Sequence, residues 1–121
     1  MKVEQGQKNE VAILKIMGWI RPNEIEDFSK AIKKSGLVKI VLDLSKFEYL
    51  NSSGLGRMVA LHSSFDLKGG GIKIANASDK IKRLFRITHL DEIIEFYDSV
   101  DAAVRFFQKE AQKENKTGSK S

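Results

Sequence analysis

The apolar residues of this chain form short runs of two kinds, and the two kinds alternate along the sequence. Residues 38–44, VKIVLDL, are mostly apolar and rich in β-branched residues, which predicts a strand buried between two layers. Farther along, Leu55, Met58, Val59 and Phe65 recur at the spacing of an amphipathic helix. Strands that alternate with helices predict an α/β fold with a mainly parallel sheet, because right-handed βαβ crossovers return the chain to the same sheet.

The beginning of the chain predicts a hairpin followed by a helix. Residues 3–5 and 11–17 are extended runs, and residues 6–9, GQKN, have the composition of a tight turn. The second run is apolar at both alternating positions, which predicts burial on both faces. Asn23 and Glu26 have the spacing of a capping box at the start of the first helix.

The second half of the chain predicts two more strands, at residues 72–75 and 93–97. Ser78 can cap a helix between them, and Asp98 or Ser99 can cap a final helix. The complete order is β-β-α-β-α-β-α-β-α. This order predicts a single α/β domain with a mixed, mostly parallel sheet and helices packed against it.

Size and composition are those of one globular domain. The chain has 121 residues, of which 41% are hydrophobic and 31% are charged. No large apolar residue follows Phe107. We therefore expect the domain to span residues 1–112 and residues 113–121 to form a disordered polar tail.

Several classes of function are disfavoured by composition. The absence of cysteine excludes disulfides, thiolate metal sites and cysteine nucleophiles. The start of the chain has no apolar signal core, and no apolar run approaches the ~20 residues of a membrane span, so we expect a cytoplasmic protein without a membrane partner. The net charge of +5 is more typical of solvated surface than of a nucleic-acid-binding face. No carboxylate pair or metal-ligand spacing stands out, so we expect no cofactor, no metal and no enzymatic activity.

The most distinctive loop lies between the strand at residues 38–44 and the helix that follows. In parallel sheets, functional residues gather beyond the carboxyl ends of the strands, and this loop occupies such a position. It ends in the sequence NSSGLG, residues 51–56. A purely structural interpretation is available, in which Asn51, Ser52 or Ser53 caps the helix and the two glycines allow close packing.

The residues of this loop and its surroundings resemble the STAS family of anti-sigma factor antagonists. The resemblance rests on an apolar strand, Asp43-Leu44-Ser45, an aromatic spacer and the SSGLG start of a helix. A glycine turn, a strand at residues 72–75 and the sequence KRLF at residues 82–85 follow at similar spacings. The resemblance covers residues 11–107, and it implies a STAS fold for this chain.

The resemblance also implies a function by partner switching. Unphosphorylated members of the family bind an anti-sigma factor that is also a serine kinase, and so free a sigma factor. Phosphorylation of a serine in the loop breaks the complex, and a phosphatase of the PP2C type restores it. Carried over to this chain, the phosphoacceptor is Ser52, with Ser53 as the alternative. Asn51 departs from the family pattern, which has an acidic residue there, and this departure puts the efficiency of phosphorylation in question.

The same resemblance implies a partner-binding surface around the loop. Trp19 is equally compatible with a role as an interface anchor and with core packing. The cations of residues 80–86 are compatible with a solvated face or with an acidic partner. The residues expected to contact the partner are Trp19, Arg21, Asn51, Ser52, Ser53, Gly54, Leu55 and Gly56.

Two other functions stay open from the sequence. One is a STAS scaffold without a phosphate cycle, in a signalling or transport assembly, and Asn51 is its best support. The other is a small enzyme or nucleotide-binding protein that uses the serine pair. Against it, neither His62 nor His89 predicts a triad with a serine, and the glycines at residues 69–71 lack the arrangement of a phosphate-binding loop.

Overall fold

An initial hairpin is followed by strands and helices that mostly alternate in the computed structural model, which describes the backbone of residues 1–119 and the side chains of residues 1–110. The strands of this part of the chain are β1 (Lys2–Lys8), β2 (Val11–Ile20), β3 (Lys39–Asp43), β4 (Phe47–Leu50), β5 (Gly71–Ala75) and β6 (Phe96–Tyr97). The α-helices are α1 (Ile25–Lys33), α2 (Ser52–Asp66), α3 (Asp79–Ile87) and α4 (Val100–Ser119), and 3-10 turns occupy Pro22–Glu24 and Leu90–Glu92.

The described strands join one sheet in the order β1-β2-β3-β5-β6, and β4 pairs with the far end of β2. Strands β1 and β2 are antiparallel, whereas β2–β3, β2–β4, β3–β5 and β5–β6 pair in parallel. The sheet is therefore mixed and mostly parallel. This confirms the predicted fold class.

Successive residues of β3 point to opposite faces of the sheet and enter two separate cores. Ile40 and Leu42 are fully buried against the layer formed by α1, α2 and α3. Val41 faces the other way and packs in a cluster with Val104 and Phe107 of α4. The prediction that this strand lies between two layers is confirmed, because alternate side chains of a strand serve opposite faces.

The first hairpin turns later than the sequence predicts. Gly6 lies within β1, where it pairs with Ile13, and Asn9 and Glu10 form the turn. Asn9 has φ of 56°, a left-handed conformation that asparagine adopts more readily than most residues. The prediction of a turn at residues 6–9 was therefore wrong, because an exposed strand at the sheet edge tolerates a glycine.

Strand β2 is less buried than its composition predicts. Leu14 and Ile16 on one face are fully enclosed. Ile13 and Met17 on the opposite face are only half-buried. The helices α1 to α3 cover the first face, whereas α4 alone packs on the second. Burial on both faces was therefore wrong for Ile13 and Met17, although Ile13 still packs against the cluster that contains Val104 and Phe107 of α4.

The first helical turn begins earlier than the predicted capping box. A carboxylate oxygen of Glu24 accepts a hydrogen bond from the backbone N–H of Arg21 at 3.1 Å. Pro22 then occupies the first position of the turn, where its missing N–H costs no hydrogen bond. The reciprocal pair is thus Arg21 with Glu24, and the predicted pair of Asn23 with Glu26 was wrong.

Two strands differ from the predicted order. Strand β4 lies in the segment expected to be a loop, and its residues do not alternate, because Glu48 and Tyr49 are both exposed. Its pairing with β2 contains an irregularity between Gly18 and Trp19, which accounts for the missing period of two. Strand β6 is confined to two residues, Phe96–Tyr97, instead of the predicted 93–97.

The structure describes the end of the chain only in part. The predicted tail at residues 113–121 falls on residues whose side chains lie outside the described part, and residues 120–121 lie outside it altogether, so the domain boundary stays a prediction. None of the described helices combines the length and the apolarity that crossing a membrane requires.

Candidate functional site

The serine pair lies on the first turn of α2, directly after β4. Asn51 is the N-cap, and its Oδ1 accepts a hydrogen bond from the backbone N–H of Gly54 at 2.9 Å. Its backbone carbonyl accepts the first helical hydrogen bond, from Leu55, also at 2.9 Å. Ser52 and Ser53 follow the cap with exposed side chains. Of the three residues that the sequence offers as caps, the structure therefore uses Asn51.

Because Asn51 caps the helix, the fold does not use the two serine hydroxyls. Among the described residues, neither hydroxyl takes part in a hydrogen bond within the chain. The first turn of a helix also presents backbone N–H groups that have no partner inside the helix, together with the positive end of the helix dipole. The site therefore offers two exposed hydroxyls in a region of positive potential.

The two glycines of the motif have different surroundings. Gly54 is buried, and a Cβ built there would lie 3.4 Å from Cβ of Leu50, an ordinary contact. Gly56 is exposed, and a Cβ there would meet nothing within 4 Å. The expectation that both glycines serve close packing within the chain is therefore wrong for Gly56. A glycine inside a helix costs about 1 kcal/mol relative to alanine, so the fold alone gives no reason for it.

An ion pair holds the first turns of α2 against α1. The guanidinium of Arg57 donates to Oγ of Ser29 at 2.7 Å and lies 2.8 Å from Oε1 of Glu26. Hydrogen bonding from Arg57 lowers the pKa of Glu26 below its ordinary value. Residues four apart are neighbours on a helix surface, so Arg57 lies one turn beyond Ser53. The contacts of Arg57 therefore tie the turn that carries the serines to the neighbouring helix.

Two exposed aromatic side chains lie side by side near the serines. Trp19 of β2 and Tyr49 of β4 occupy paired positions, and they are 40% and 44% exposed. The guanidinium of Arg21 lies 5.2 Å from the centroid of the Trp19 ring, and Nζ of Lys80 lies 5.6 Å from that of Tyr49. We call these four residues the aromatic-cation strip. Trp19 is thus a surface residue and does not pack in the core.

The strip includes two residues that sequence reasoning did not place in the site. The sequence predicts a loop at Tyr49, and it gives no reason to select Lys80 from the several cations of its helix. The pairing of β4 with β2 brings Tyr49 next to Trp19, and the packing of α3 places Lys80 over the tyrosine ring. The only signal in the sequence was an aromatic residue three positions before the serine pair.

The structure distributes the other predicted contact residues between surface and interior. Leu55 is 6% exposed and belongs to the main core, so it supports the helix from below. Gly54 is buried and Asn51 is half-buried through its capping role. Arg21 and Gly56 are exposed. The accessible part of the site is therefore the serine pair, Gly56 and the aromatic-cation strip.

His62 lies at the other end of α2, where a hydrogen bond holds its side chain to β5. Nδ1 of His62 accepts a hydrogen bond from the backbone N–H of Ile72 at 2.9 Å, at the start of β5. Burial lowers the pKa of His62. More than two turns of helix separate it from the serines, so it cannot form a catalytic triad with them. Among the described residues, no group of three or more histidine, aspartate or glutamate side chains is arranged to hold a metal ion.

Near His62, a lysine is buried in a polar cluster. The side chain of Lys73 is only 5% exposed, and its Nζ lies 2.7 Å from Glu95, 3.0 Å from Glu110 and 3.3 Å from the hydroxyl of Tyr97. Burial acts to lower the pKa of Lys73, but hydrogen bonds to the two carboxylates outweigh this effect and raise it. The amine is therefore charged and fully engaged within the fold.

Comparison with known proteins agrees with this architecture. The model of the STAS domain family matches residues 9–103, and the chain belongs to that family. The chain is 29% identical over 89 residues to the anti-sigma-B factor antagonist of Bacillus subtilis, an alignment that covers 68% of this chain and 82% of the relative. It is also similar to the solved structure of the Thermotoga maritima protein TM1081, with a TM-score of 0.77, 26% identity and coverage of 86% of each chain.

Coverage is lower for two sequence relatives from Thermotoga whose names place them among anti-sigma factor antagonists. The chain is 33% identical to each of them, over 69 residues in Thermotoga maritima and 73 residues in Thermotoga neapolitana. These alignments cover 57% and 60% of this chain and only 61% and 65% of the relatives. The family is therefore established, whereas the partners and the activity of the whole protein are a matter for proposal.

Proposed function

We propose that this protein is an anti-sigma factor antagonist that is switched by phosphorylation. In the cytoplasm, it binds an anti-sigma factor that also has serine kinase activity, and so frees a sigma factor. Phosphorylation of Ser52 breaks this complex, and a PP2C-type phosphatase restores it. The observation that carries the proposal is an exposed serine pair, left unused by the cap of α2, in a chain of the STAS family.

The fold can accept a phosphate at this place. Phosphorylation adds about 1.5 to 2 negative charges and three acceptor oxygens. At the N-terminus of α2 these charges meet unpaired backbone N–H groups and the positive end of the helix dipole. Ser52 is exposed, so the phosphate does not displace any core residue. The phosphate should therefore leave the stability of the domain almost unchanged.

A partner bound over Ser52 would meet both the bulk and the charge of the phosphate. A loss of about 2.7 kcal/mol at the interface weakens binding about 100-fold, which is enough to exchange one partner for another. The exposed aromatic residues of the strip supply the kind of side chain that anchors such an interface. The switch therefore acts on the complex and not on the fold of the antagonist.

The neighbours of the two serines favour Ser52 as the phosphoacceptor. Ser52 lies one helical turn before Gly56, where the surface is open. Ser53 lies one turn before Arg57, whose side chain is held against the neighbouring helix α1 by Glu26. A kinase that approaches α2 from the N-terminal side therefore finds less obstruction at Ser52.

Asn51 is compatible with the proposed switch. Asparagine and aspartate are equally good N-caps, so the neutral side chain keeps the helix start that an acidic residue would provide. It also leaves the position next to Ser52 without a negative charge, and a phosphate there would meet less repulsion. We expect Asn51→Asp to change the rate of phosphorylation while leaving thermal stability almost unchanged.

The proposal is tested by incubating the purified protein with ATP and each histidine-kinase-like anti-sigma factor of the same genome. We expect intact-mass spectrometry to show one added phosphate, placed on Ser52 by peptide fragmentation. Ser52→Ala should abolish the modification and keep binding, whereas Ser53→Ala, the matched control, should keep both. Ser52→Asp should weaken binding because of its charge and size.

Two results together would contradict the switch. They are the absence of phosphate from the loop with every kinase tested, and an unchanged partner affinity in Ser52→Asp. Binding without phosphorylation would instead indicate a scaffold of the kind that the sequence left open.

A further inference from the structure

An apolar groove runs along α3 next to the aromatic-cation strip. It has a volume of about 210 Å³. The residues that line it are Tyr49, Lys80, Ile81, Arg83, Leu84 and Ile87. Ile81 forms its buried floor, whereas Ile87 and Tyr49 form its walls and are 65% and 44% exposed. The groove therefore brings two large, accessible apolar side chains together on one surface.

This arrangement differs from isolated apolar exposure elsewhere. Leu67, just after α2, is 89% exposed, but it does not line this groove. Single exposed apolar residues are common in monomeric proteins and carry no implication, whereas clustered ones mark places where another molecule binds. Leu67 is therefore the matched control for Ile87, because it is an exposed apolar residue outside the groove.

The exposed surface of α3 is strongly basic. The helix carries four cations against the single anion Asp79, a net charge of +3. The cations are Lys80, Lys82, Arg83 and Arg86. None of them takes part in a salt bridge among the described residues. Elsewhere in the same part of the chain, Arg57 and Lys73 are paired with carboxylates. The charge around the groove is therefore available to a partner of opposite sign.

The groove is continuous with the site of the proposed switch. Tyr49 is shared by the groove and the strip, and it lies three residues before Ser52 in the chain. Lys80 lies over the Tyr49 ring, and Trp19 occupies the position that pairs with Tyr49 on the neighbouring strand β2. A partner that covers the serines can therefore reach the groove without crossing an unrelated surface.

We propose that this groove docks an acidic amphipathic segment of the anti-sigma factor. An apolar side chain of the segment lies between Tyr49 and Ile87, and carboxylates beside it pair with Lys80 and Arg83. This proposal rests on the proposed function and names the chemistry by which the partner is recognised. A second copy of this chain is a poor occupant, because two faces of α3 would bring like charges together.

The test uses two matched pairs of variants and isothermal titration with each purified histidine-kinase-like anti-sigma factor of the same genome. Ile87→Asp places a charge in the groove and should weaken binding about tenfold or more, whereas Leu67→Asp should stay within about twofold of the wild type. Lys80→Glu with Arg83→Glu should also weaken binding about tenfold and reduce its dependence on salt. Lys30→Glu with Lys33→Glu, on exposed positions of α1, is the control of equal charge.

A photo-reactive benzoylphenylalanine in place of Ile87 identifies the occupant. Cross-linking to a segment of the anti-sigma factor in which acidic residues flank apolar ones would support the proposal. Cross-linking to a basic segment or to a second copy of this chain would overturn it. The variants should keep the melting temperature of the wild type, because all six substituted side chains lie on the surface.

The two proposals fail in different ways. If the wild type binds none of the anti-sigma factors, the proposed function is overturned, and the docking proposal with it. If the wild type binds one of them and Ile87→Asp binds as tightly as Leu67→Asp, only the docking proposal is overturned.

Discussion

The two ends of α2 use their polar residues in opposite ways. At the C-terminal end, His62 is bonded to the backbone of β5, and nearby Lys73 is buried between Glu95 and Glu110. At the N-terminal end, the hydroxyls of the serine pair have no partner within the described part of the chain. The first arrangement is complete in itself, whereas the second leaves its hydrogen-bonding groups for another molecule.

The same contrast holds for cations and aromatic rings. Lys73 lies 4.8 Å from the centroid of Phe107 and is enclosed with it, so its contact with the ring contributes to the fold. Lys80 lies over a ring that is 44% exposed, and its contact stabilises a surface. Similar interactions therefore have different roles, and burial decides which role applies. Substitutions near the C-terminal end of α2 should therefore change the stability of the fold, and substitutions near its N-terminal end should change partner binding.

The largest loss of stability is expected for a substitution in β3, the strand at the centre of the sheet that supports α2. Leu42 of β3 is fully buried in the main core. Leu42→Ala removes three carbon atoms from a closely packed site and should lower the free energy of unfolding by about 2 to 5 kcal/mol. Urea titration followed by circular dichroism measures this change. A loss below about 1 kcal/mol would mean that Leu42 is not enclosed in the main core.

A smaller effect should distinguish the two lysines. Lys73→Ala leaves two carboxylates without their cation and removes a side chain that packs on Phe107. Glu95 and Glu110 are themselves about half exposed, so the expected loss is about 2 kcal/mol, below the usual range for a fully buried pair. Lys80→Ala is the matched control and should change stability by less than about 0.5 kcal/mol. Equal losses in the two variants would remove the distinction between the two ends.

The sequence predicts the framework of this molecule better than its surface. The central strand and the cap at Ser78 follow from local patterns, and the structure has both. Strand β4 was missed because four residues with two exposed in succession have no detectable period. Its pairing with β2 is a long-range contact, which no local pattern encodes.

The candidate site was predictable only in part, because local patterns reveal the serine pair but not the long-range contacts around it. The motif at residues 51–56 identified the serine pair from the sequence alone. The aromatic-cation strip depends on the contact of β4 with β2 and on the packing of α3, so Tyr49 and Lys80 could not be selected. The choice of Asn51 as the cap also required the structure, because three adjacent residues were equally suitable.

At the N-terminal end of α2, one substitution should move stability and binding in opposite directions. Gly56→Ala places a methyl group in open space inside a helix and should raise the free energy of unfolding by up to about 1 kcal/mol. The same methyl group would stand between the partner and α2, so binding of the anti-sigma factor should weaken. Thermal melts and titration calorimetry measure the two quantities. Stabilisation with undiminished affinity would show that the partner does not approach this face.

The smallest effect concerns pH and the C-terminal end of α2. Nδ1 of His62 accepts a hydrogen bond from Ile72, which requires the neutral ring, and burial lowers the pKa of His62 below its ordinary value of about 6.5. The unfolded chain therefore binds a proton at a higher pH than the folded domain. The stabilisation is complete above the unfolded pKa and is lost as the pH falls through the folded pKa.

Stability should consequently fall as the solution is acidified from neutral pH, and His62→Gln should flatten this part of the profile. His89→Gln, at an exposed position in a turn, is the control for a general histidine effect. Chemical denaturation at a series of pH values between 7 and 5 gives the slope for each variant. A wild-type profile that rises on acidification, and that His62→Gln flattens, would contradict the assigned hydrogen bond, because His62 would then bind a proton more tightly in the folded domain than in the unfolded chain. A change of slope in His89→Gln alone would place the sensitivity elsewhere.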